Sequence, residues 1–241
     1  MEAQTSPASR APNSNSPRRR KTQAQDKGSR GVSAPIRARG RPKRAPGQPV
    51  HRRPCEQISY SDATNLVSAL HFANAIGKPP TVHVTIQWRF VESSLPVADR
   101  QTRLLNKMGI WLRRRADVPP VWVYAREVGL RKGEHLHMLV HVPARHLSAF
   151  RRQMEAWIHA DADPLGEVRG RPVDIRTIKP GHERDALKSY LLKEGEADVL
   201  AQWVRPEHQR RATGGTLLGK RVKVSHAIGP KERAKAYAMA E

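Results

Sequence analysis

The chain has 241 residues, of which 44 are Lys or Arg and 22 are Asp or Glu, so its formal net charge is +22. This length fits one ordinary domain with tails, or two small domains. The single cysteine, Cys55, excludes an internal disulfide framework and a zinc site built from several cysteines, and it is typical of a reducing compartment. No apolar run is long enough for a membrane span or a secretory signal. We therefore expect a cytoplasmic protein whose partner is a polyanion, most simply a nucleic acid.

The positive charge is concentrated at the N-terminus. Residues 1–53 contain 14 Lys or Arg, 2 acidic residues, 7 Pro and no aromatic residue. Such a segment buries too little apolar surface to offset the entropy lost on ordering, so it predicts a disordered basic arm that contacts phosphates. A leader without a role is the alternative. We expect a folded domain at 54–200 and a basic segment at 201–241, which either packs on the domain or contacts DNA.

Hydrophobic periodicity predicts the order of elements that follows the arm. A helix capped by Asp62 is expected at 62–76. Further helices are expected at 98–116, 145–160 and 183–194, and strands at 81–89, 121–128, 135–142 and 171–179. From residue 81 to residue 179 the order is β-α-β-β-α-β, which predicts an α+β fold. We expect a ferredoxin-like split arrangement, with an antiparallel sheet, helices on one face and the other face open.

Two histidines stand on the third predicted strand at positions that share one face. His135 and His137 are separated by one residue, and Glu127 lies eight residues earlier, on the other side of a predicted hairpin. The hairpin would bring Glu127 beside His135 or His137. Two imidazoles and one carboxylate suit a divalent ion such as Mn²⁺ or Mg²⁺. His141 has the same parity but lies farther along the strand, outside this predicted site.

The last predicted helix carries a tyrosine and a lysine three residues apart. Tyr190 and Lys193 would project from one helical face. A tyrosine hydroxyl is a poor nucleophile near neutral pH, but it becomes useful beside a metal-activated electrophile and a cation. Taken without the predicted metal site, the two residues are more typical of a packed tyrosine and a solvated surface lysine.

These motifs together resemble the HUH endonucleases, and among them the single-tyrosine replication initiators of circular single-stranded-DNA viruses and related plasmids. The resemblance covers about residues 81–196. Strand 81–89 matches the first family motif only in pattern. Glu127 followed by His135-Leu136-His137 matches the second motif in identity and spacing, and Tyr190-Leu191-Leu192-Lys193 resembles the third motif closely.

The resemblance implies a specific mechanism. Glu127, His135 and His137 would hold a divalent ion at the scissile phosphate of single-stranded or hairpin DNA at an origin. Tyr190 would form a covalent 5′-phosphotyrosine, Lys193 would orient the phosphate or the tyrosine, and Glu194 is a possible auxiliary group. This chemistry needs no ATP.

The chain departs from many viral relatives in lacking a helicase domain. Residues 214–221 nearly spell a phosphate-binding loop, but Arg221 stands where Ser or Thr should bind Mg²⁺. We therefore expect no ATPase domain, a separate helicase as partner, and a plasmid, phage or integrated element of a bacterial host. Three alternatives stay open: a single-tyrosine transposase of the same nuclease class, a non-catalytic nucleic-acid-binding protein on a ferredoxin-like scaffold, and a structural, chromatin-like basic protein.

Overall fold

The computed structural model describes residues 53–129, 133–206, 209 and 215–239. The predicted basic arm lies outside these residues, apart from Arg53. Within them, no helix is both long and apolar enough to cross a membrane. The elements, in chain order, are β1 (Pro54–Cys55), α1 (Tyr60–Ala75), β2 (Val82–Gln87), α2 (Val97–Arg115), β3 (Trp122–Gly129), β4 (Gly133–Val140), α3 (Leu147–His159), β5 (Val173–Thr177), α4 (Glu183–Ala186), α5 (Ala197–Trp203), β6 (Leu217–Leu218), β7 (Val222–Val224) and α6 (Pro230–Ala238).

A five-stranded antiparallel sheet forms the centre of the described structure. Its strand order is β5-β2-β4-β3-β7, and every neighbouring pair is antiparallel. The predicted α+β class is confirmed. All four predicted strands are present, although the strand predicted at 81–89 ends at Gln87 because Trp88–Phe90 form a turn of 3₁₀-helix.

One face of the sheet is covered by α2 and α3. Strand alternation directs Val82, Val84 and Ile86 of β2 toward this face, where they join buried residues of both helices in one apolar cluster. The main helical contributors are Leu104, Met108, Leu112, Phe150, Met154 and Ile158. Burial of these side chains is the principal force that holds the two helices on the sheet.

The prediction that helices cover only one face is wrong. The opposite face carries Val123 and Ala125 of β3 and Leu139 of β4, and this apolar patch is buried with Leu66 and Leu70 of α1. Exposure of these apolar residues to water would cost free energy. Helix α1 and the residues that follow α4 cover this half of the face. The other half, over β2 and β5, carries polar residues and stays accessible.

Part of the basic segment 201–241 packs on the domain. Its strand β7 pairs with β3, and β6 pairs with β1. The Arg221 side chain is 1% exposed, and its guanidinium donates to the carbonyl oxygens of Cys55, Arg126 and Gly215. Arg221 therefore ties β1, β3 and the C-terminal segment together, which is a structural role for the stretch that resembled a phosphate loop.

Two predicted helix ends differ from the structure. Helix α1 is capped by Ser59, whose hydroxyl accepts a hydrogen bond from the Asp62 backbone N–H at 3.2 Å, so Asp62 is not the cap. The helix predicted at 183–194 is α-helical only to Ala186 and continues as one π-helical stretch, Leu187–Leu191. Lys193 and Glu194 lie in the turn that follows, where Ile58 pairs with Gly195.

Candidate metal and tyrosine site

The β3–β4 hairpin places the predicted metal ligands side by side. Glu127 is directly opposite His135, and Gly129 is opposite Gly133 at the end of the ladder. Gly133 has a φ of 62°, a left-handed conformation that glycine adopts without steric cost. The three residues of the connecting loop, 130–132, lie outside the described residues. The predicted pairing of Glu127 with the histidine strand is therefore correct.

The three side chains converge on one small volume. A Glu127 oxygen, Oε2, lies 2.9 Å from His135 Nε2 and 3.5 Å from His137 Nε2. One possible ligand atom from each of the three residues falls within 4.8 Å of the others. All three residues are buried, with exposures of 3 to 6%. Carboxylate oxygen and imidazole nitrogen at these separations can hold a divalent cation.

The hydrogen-bond pattern supports a cation at this point. His135 Nδ1 lies 3.1 Å from the carbonyl oxygen of Gly133, an acceptor, so this nitrogen carries a proton and donates. In the neutral ring the Nε2 lone pair then faces the Glu127 carboxylate, and two acceptors at 2.9 Å repel unless a proton or a metal lies between them.

Two buried atoms of the cluster make no hydrogen bond, although one of them, His137 Nε2, lies 3.5 Å from Glu127 Oε2. Glu127 Oε1 and His137 Nε2 are inaccessible and make no hydrogen bond among the described residues. On its other side, His137 Nδ1 lies 3.2 Å from the Thr85 hydroxyl and 3.3 Å from His83 Nε2. Buried polar groups are seldom unsatisfied, so these two atoms fit ligands of an ion.

Burial and neighbouring charges set the protonation that a metal requires. Burial would raise the pKa of Glu127, but its contacts with His135 and His137 and the charge of Lys193 lower that pKa well below the ordinary range. Burial lowers the pKa of His137, against the attraction of Glu127, and lowers the pKa of His83 to about 3. An ionised carboxylate and neutral imidazoles are the forms that ligate metals.

Tyr190 lies against the histidine cluster. Its ring centroid is 4.2 Å from that of His83 and 5.8 Å from that of His137. It belongs to the π-helical stretch Leu187–Leu191, and such insertions occur frequently at functional sites. Leu187 and Leu191 of the same stretch are buried in the apolar cluster with α1, which anchors the backbone that carries Tyr190.

Lys193 and Glu194 approach the cluster from the turn. Lys193 Nζ lies 2.9 Å from Glu127 Oε2, so an ammonium group already contacts the carboxylate. Glu194 is 9% exposed, and burial and the charge of Glu127 raise its pKa. Glu194 is not among the described residues whose ligand atoms converge, so its auxiliary role stays a prediction.

An open pocket of about 640 Å³ connects these groups to solvent. Tyr190, Lys193, His135 and His137 line it together. The pocket lies over β2 and β5, the polar half of the sheet face, so the structure brings the two predicted motifs into one site.

Three further residues of this pocket were not predicted as site residues. His83 and Thr85 of β2 contact His137, and Arg176 of β5 lines the same wall. Hydrogen bonding to Asp174 raises the pKa of Arg176, and contact with Tyr190 adds to this effect. The alternation of β2 marked His83 and Thr85 as facing away from the core, but the β2–β4 pairing was needed to place them beside His137.

His141 lies away from the cluster, as predicted. Its Nδ1 is 2.7 Å from the carbonyl oxygen of Pro79, at the opposite end of β4.

A scan against models of known protein families matches none of them, and a search of curated proteins finds no significant relative.

Proposed function

We propose that this protein is a metal-dependent, single-tyrosine endonuclease and strand transferase for single-stranded DNA. The observation that carries the proposal is the meeting of Tyr190 with the buried Glu127, His135 and His137 cluster in one open pocket. Tyr190 lies far from the three metal-type donors in sequence, yet it shares one pocket with His135 and His137, whose rings contact the Glu127 carboxylate. This chemistry requires such a meeting of nucleophile and metal ligands.

Glu127 Oε1 and His137 Nε2 are buried and make no hydrogen bond among the described residues, and these donor types fit a hard or borderline divalent ion such as Mn²⁺ or Mg²⁺. Bound by Glu127, His135 and His137, this ion would polarise the scissile phosphate as a Lewis acid. The protein's own side chains carry out the other steps of the reaction.

Tyr190 supplies the nucleophile. Its phenolic oxygen attacks phosphorus, a phosphotyrosine bond forms, and the bond from phosphorus to the 3′ oxygen breaks. The departing 3′ oxygen takes up a proton, which balances the proton lost by the phenol, and the reverse attack by a 3′-OH rejoins the strand. Lys193, Arg176 and Lys179 are cations of this pocket that can orient the phosphate.

The polar half of the sheet face is accessible to an extended single strand of DNA. The pocket spans β2, β4 and β5, where an extended DNA strand can lie with its phosphate over the histidines.

We infer that β2 to β5 form a ferredoxin-like split arrangement. The order β5-β2-β4-β3, with α2 and α3 as the connections on one face, supports this inference.

The biological role that best fits this chemistry is initiation of rolling-circle replication of a plasmid, phage or integrated element. Its support is the order of motifs and the Tyr190–Lys193 spacing, which resemble those of the initiators. A separate helicase would then unwind the duplex in a bacterial cytoplasm. A transposase of the same class would use the same site on a different DNA.

A covalent-adduct assay tests the proposal. End-labelled single strands tiled across the DNA that flanks the gene are incubated with the full chain and Mn²⁺ or EDTA. We expect a denaturant-resistant protein–DNA band that requires the ion and is absent in Tyr190→Phe. Tyr237→Phe, which alters an exposed tyrosine of α6, is the matched control and should retain the band.

The position of the cleaved phosphate separates the roles. A site at a replication origin supports an initiator, and a site at an element end supports a transposase. A band that persists in Tyr190→Phe would remove Tyr190 as the nucleophile. Absence of any band, with DNA binding intact on the same strands, would favour the non-catalytic binding protein.

A further inference from the structure

A second groove, of about 810 Å³, lies on the other side of the sheet from the tyrosine site. It runs between α2 and the edge of the sheet formed by β3 and β7. Trp122 and Tyr124 of β3 form its floor, whereas Glu127 of the same strand points to the opposite face. None of the metal or tyrosine site residues lines this groove.

The groove is basic and its cations are largely unpaired. Arg113 of α2, Lys220 and Lys223 line it, are exposed and form no ion pair within the described part of the chain. Arg126, the fourth cation, pairs with Glu134, and its Nε lies 2.8 Å from that carboxylate. No acidic residue is among the described lining residues. An anion would therefore meet cations that have no competing partner.

Apolar side chains lie between these cations. Ile110 of α2 is 45% exposed and Leu218 of β6 is 60% exposed, and both border the groove. The Trp122 and Tyr124 rings, which are 8% and 6% exposed, also line the groove and stack with their centroids 5.7 Å apart. Large apolar side chains left exposed beside a concave surface are typical of a binding site.

One buried polar group in the groove lacks a partner. Gln101 is 3% exposed and lines the groove, and its Nε2 makes no hydrogen bond among the described residues. An acceptor on a bound molecule, such as a base or sugar oxygen, would satisfy this amide.

We propose that this groove is a second binding site for single-stranded nucleic acid, separate from the site of cleavage. The cations contact phosphates, Ile110 and Leu218 contact sugars and bases, and Gln101 donates to a base or sugar oxygen. The choice of nucleic acid as occupant rests on the proposed function, whereas the groove itself does not depend on it. A strand that bends around the sheet edge would engage both faces of the protein at once.

Fluorescence anisotropy with a labelled oligothymidylate measures the contribution of the groove. The full-length Arg113→Gln/Lys220→Gln/Lys223→Gln variant removes its three unpaired cations. For single strands each phosphate contact contributes roughly 0.7 to the salt slope, so we expect the slope to fall by about 2 and affinity to fall about tenfold or more at moderate salt.

A charge-matched variant controls for net charge. Lys107, Arg114 and Arg115 are exposed on α2 but do not line the groove. Lys107→Gln/Arg114→Gln/Arg115→Gln should keep the wild-type salt slope. If both triple variants lose the same amount of affinity and salt slope, the groove is not a binding site. Only the overall positive charge of the protein would then attract the oligonucleotide.

Ultraviolet crosslinking of the same oligonucleotide locates the contact directly. Crosslinked peptides that contain Trp122 or Tyr124 support the groove, and crosslinks confined to the Tyr190 pocket overturn it. Polyglutamate serves as a competitor in the same experiment. If it displaces the oligonucleotide as effectively as unlabelled DNA does, the groove is assigned to acidic peptides instead. Cleavage without groove crosslinks leaves the proposed function standing without this inference, and groove crosslinks without cleavage leave the inference standing without the proposed function.

Discussion

The two faces of the sheet show how one strand can serve two different surfaces. On one face, β3 contributes Glu127 to a buried cluster of imidazoles and carboxylate. On the other face, the same strand contributes Trp122 and Tyr124 to the floor of a groove with unpaired cations at its rim. The difference arises from alternation along the strand, because each successive side chain points to the opposite side.

The two surfaces also differ in how their charges are held. The cluster buries its carboxylate and rings, so their positions are fixed by packing and their protonation by desolvation. The groove leaves its cations in solvent, where each contributes modestly and in a salt-dependent way. We therefore expect the first surface to control chemistry and the second to control affinity.

The largest effect should follow from removing an imidazole of the cluster. His137→Ala takes away a central nitrogen, so we expect Mn²⁺ affinity and metal-dependent cleavage to fall at least about 100-fold. Isothermal titration with Mn²⁺ and the cleavage assay measure the two losses, while oligonucleotide affinity should change little.

His141→Ala is the matched control for that experiment, because His141 directly follows β4, is also buried, and lies outside the cluster. It should keep Mn²⁺ binding. Unchanged metal binding in His137→Ala would move the ion to other residues.

The N-terminal arm should matter for affinity and not for chemistry. Deleting residues 1–53 removes 14 cations, so we expect binding at physiological salt to weaken about tenfold or more and its salt dependence to flatten. Cleavage at low salt should survive. A full-length chain whose arm cations are changed to Gln separates charge from length, and an unchanged salt slope in both variants would exclude the arm from DNA binding.

A glycine beside the tyrosine site should be sensitive to substitution. A Cβ at position 195 would lie 2.7 Å from Val199 Cβ, so Gly195→Ala must displace either Val199 of α5 or the turn that carries Lys193 and Glu194. Such overpacking typically costs about 1–3 kcal/mol of unfolding free energy. Denaturant unfolding measures the loss, and cleavage should fall with it.

Combining Gly195→Ala with Val199→Ala tests this explanation. The double variant should lose less stability than the sum of the two single variants, because the second change removes the clash. Additive losses would show that the turn is not strained by this contact.

A glycine beside the groove should behave in the opposite way. A Cβ at position 109 would have its nearest neighbours, Arg113 Nη1 and Pro120 Cγ, at 3.7 Å, which is ordinary contact. Because glycine is unfavourable within a helix, Gly109→Ala should raise the unfolding free energy by about 0.5–1 kcal/mol. Thermal unfolding measures this gain, and a decrease would indicate a tighter groove wall than the structure has.

The placement of residues that depends only on the local sequence pattern was predicted correctly. The hairpin spacing placed Glu127 next to His135, and alternation placed His135 and His137 on one face. The coverage of the second face was missed, because Val123, Ala125 and Leu139 create an apolar patch only once β3 and β4 lie side by side. Lys193 was expected on a helix and lies in a turn, since the helix gives way to a π-helical stretch before it.

The sequence by itself determined the strand order along the chain, the identity of the metal-type donors and the excess of positive charge, because periodicity, residue chemistry and composition are local properties. Only the tertiary structure decided that His83, Thr85 and Arg176 share the pocket of Tyr190, and that Lys220 and Lys223 meet Arg113 across a groove. These groups come from distant segments, and the pairing of strands and packing of α2 bring them together. Long-range register is set by the burial of whole faces, which a single stretch of sequence does not encode.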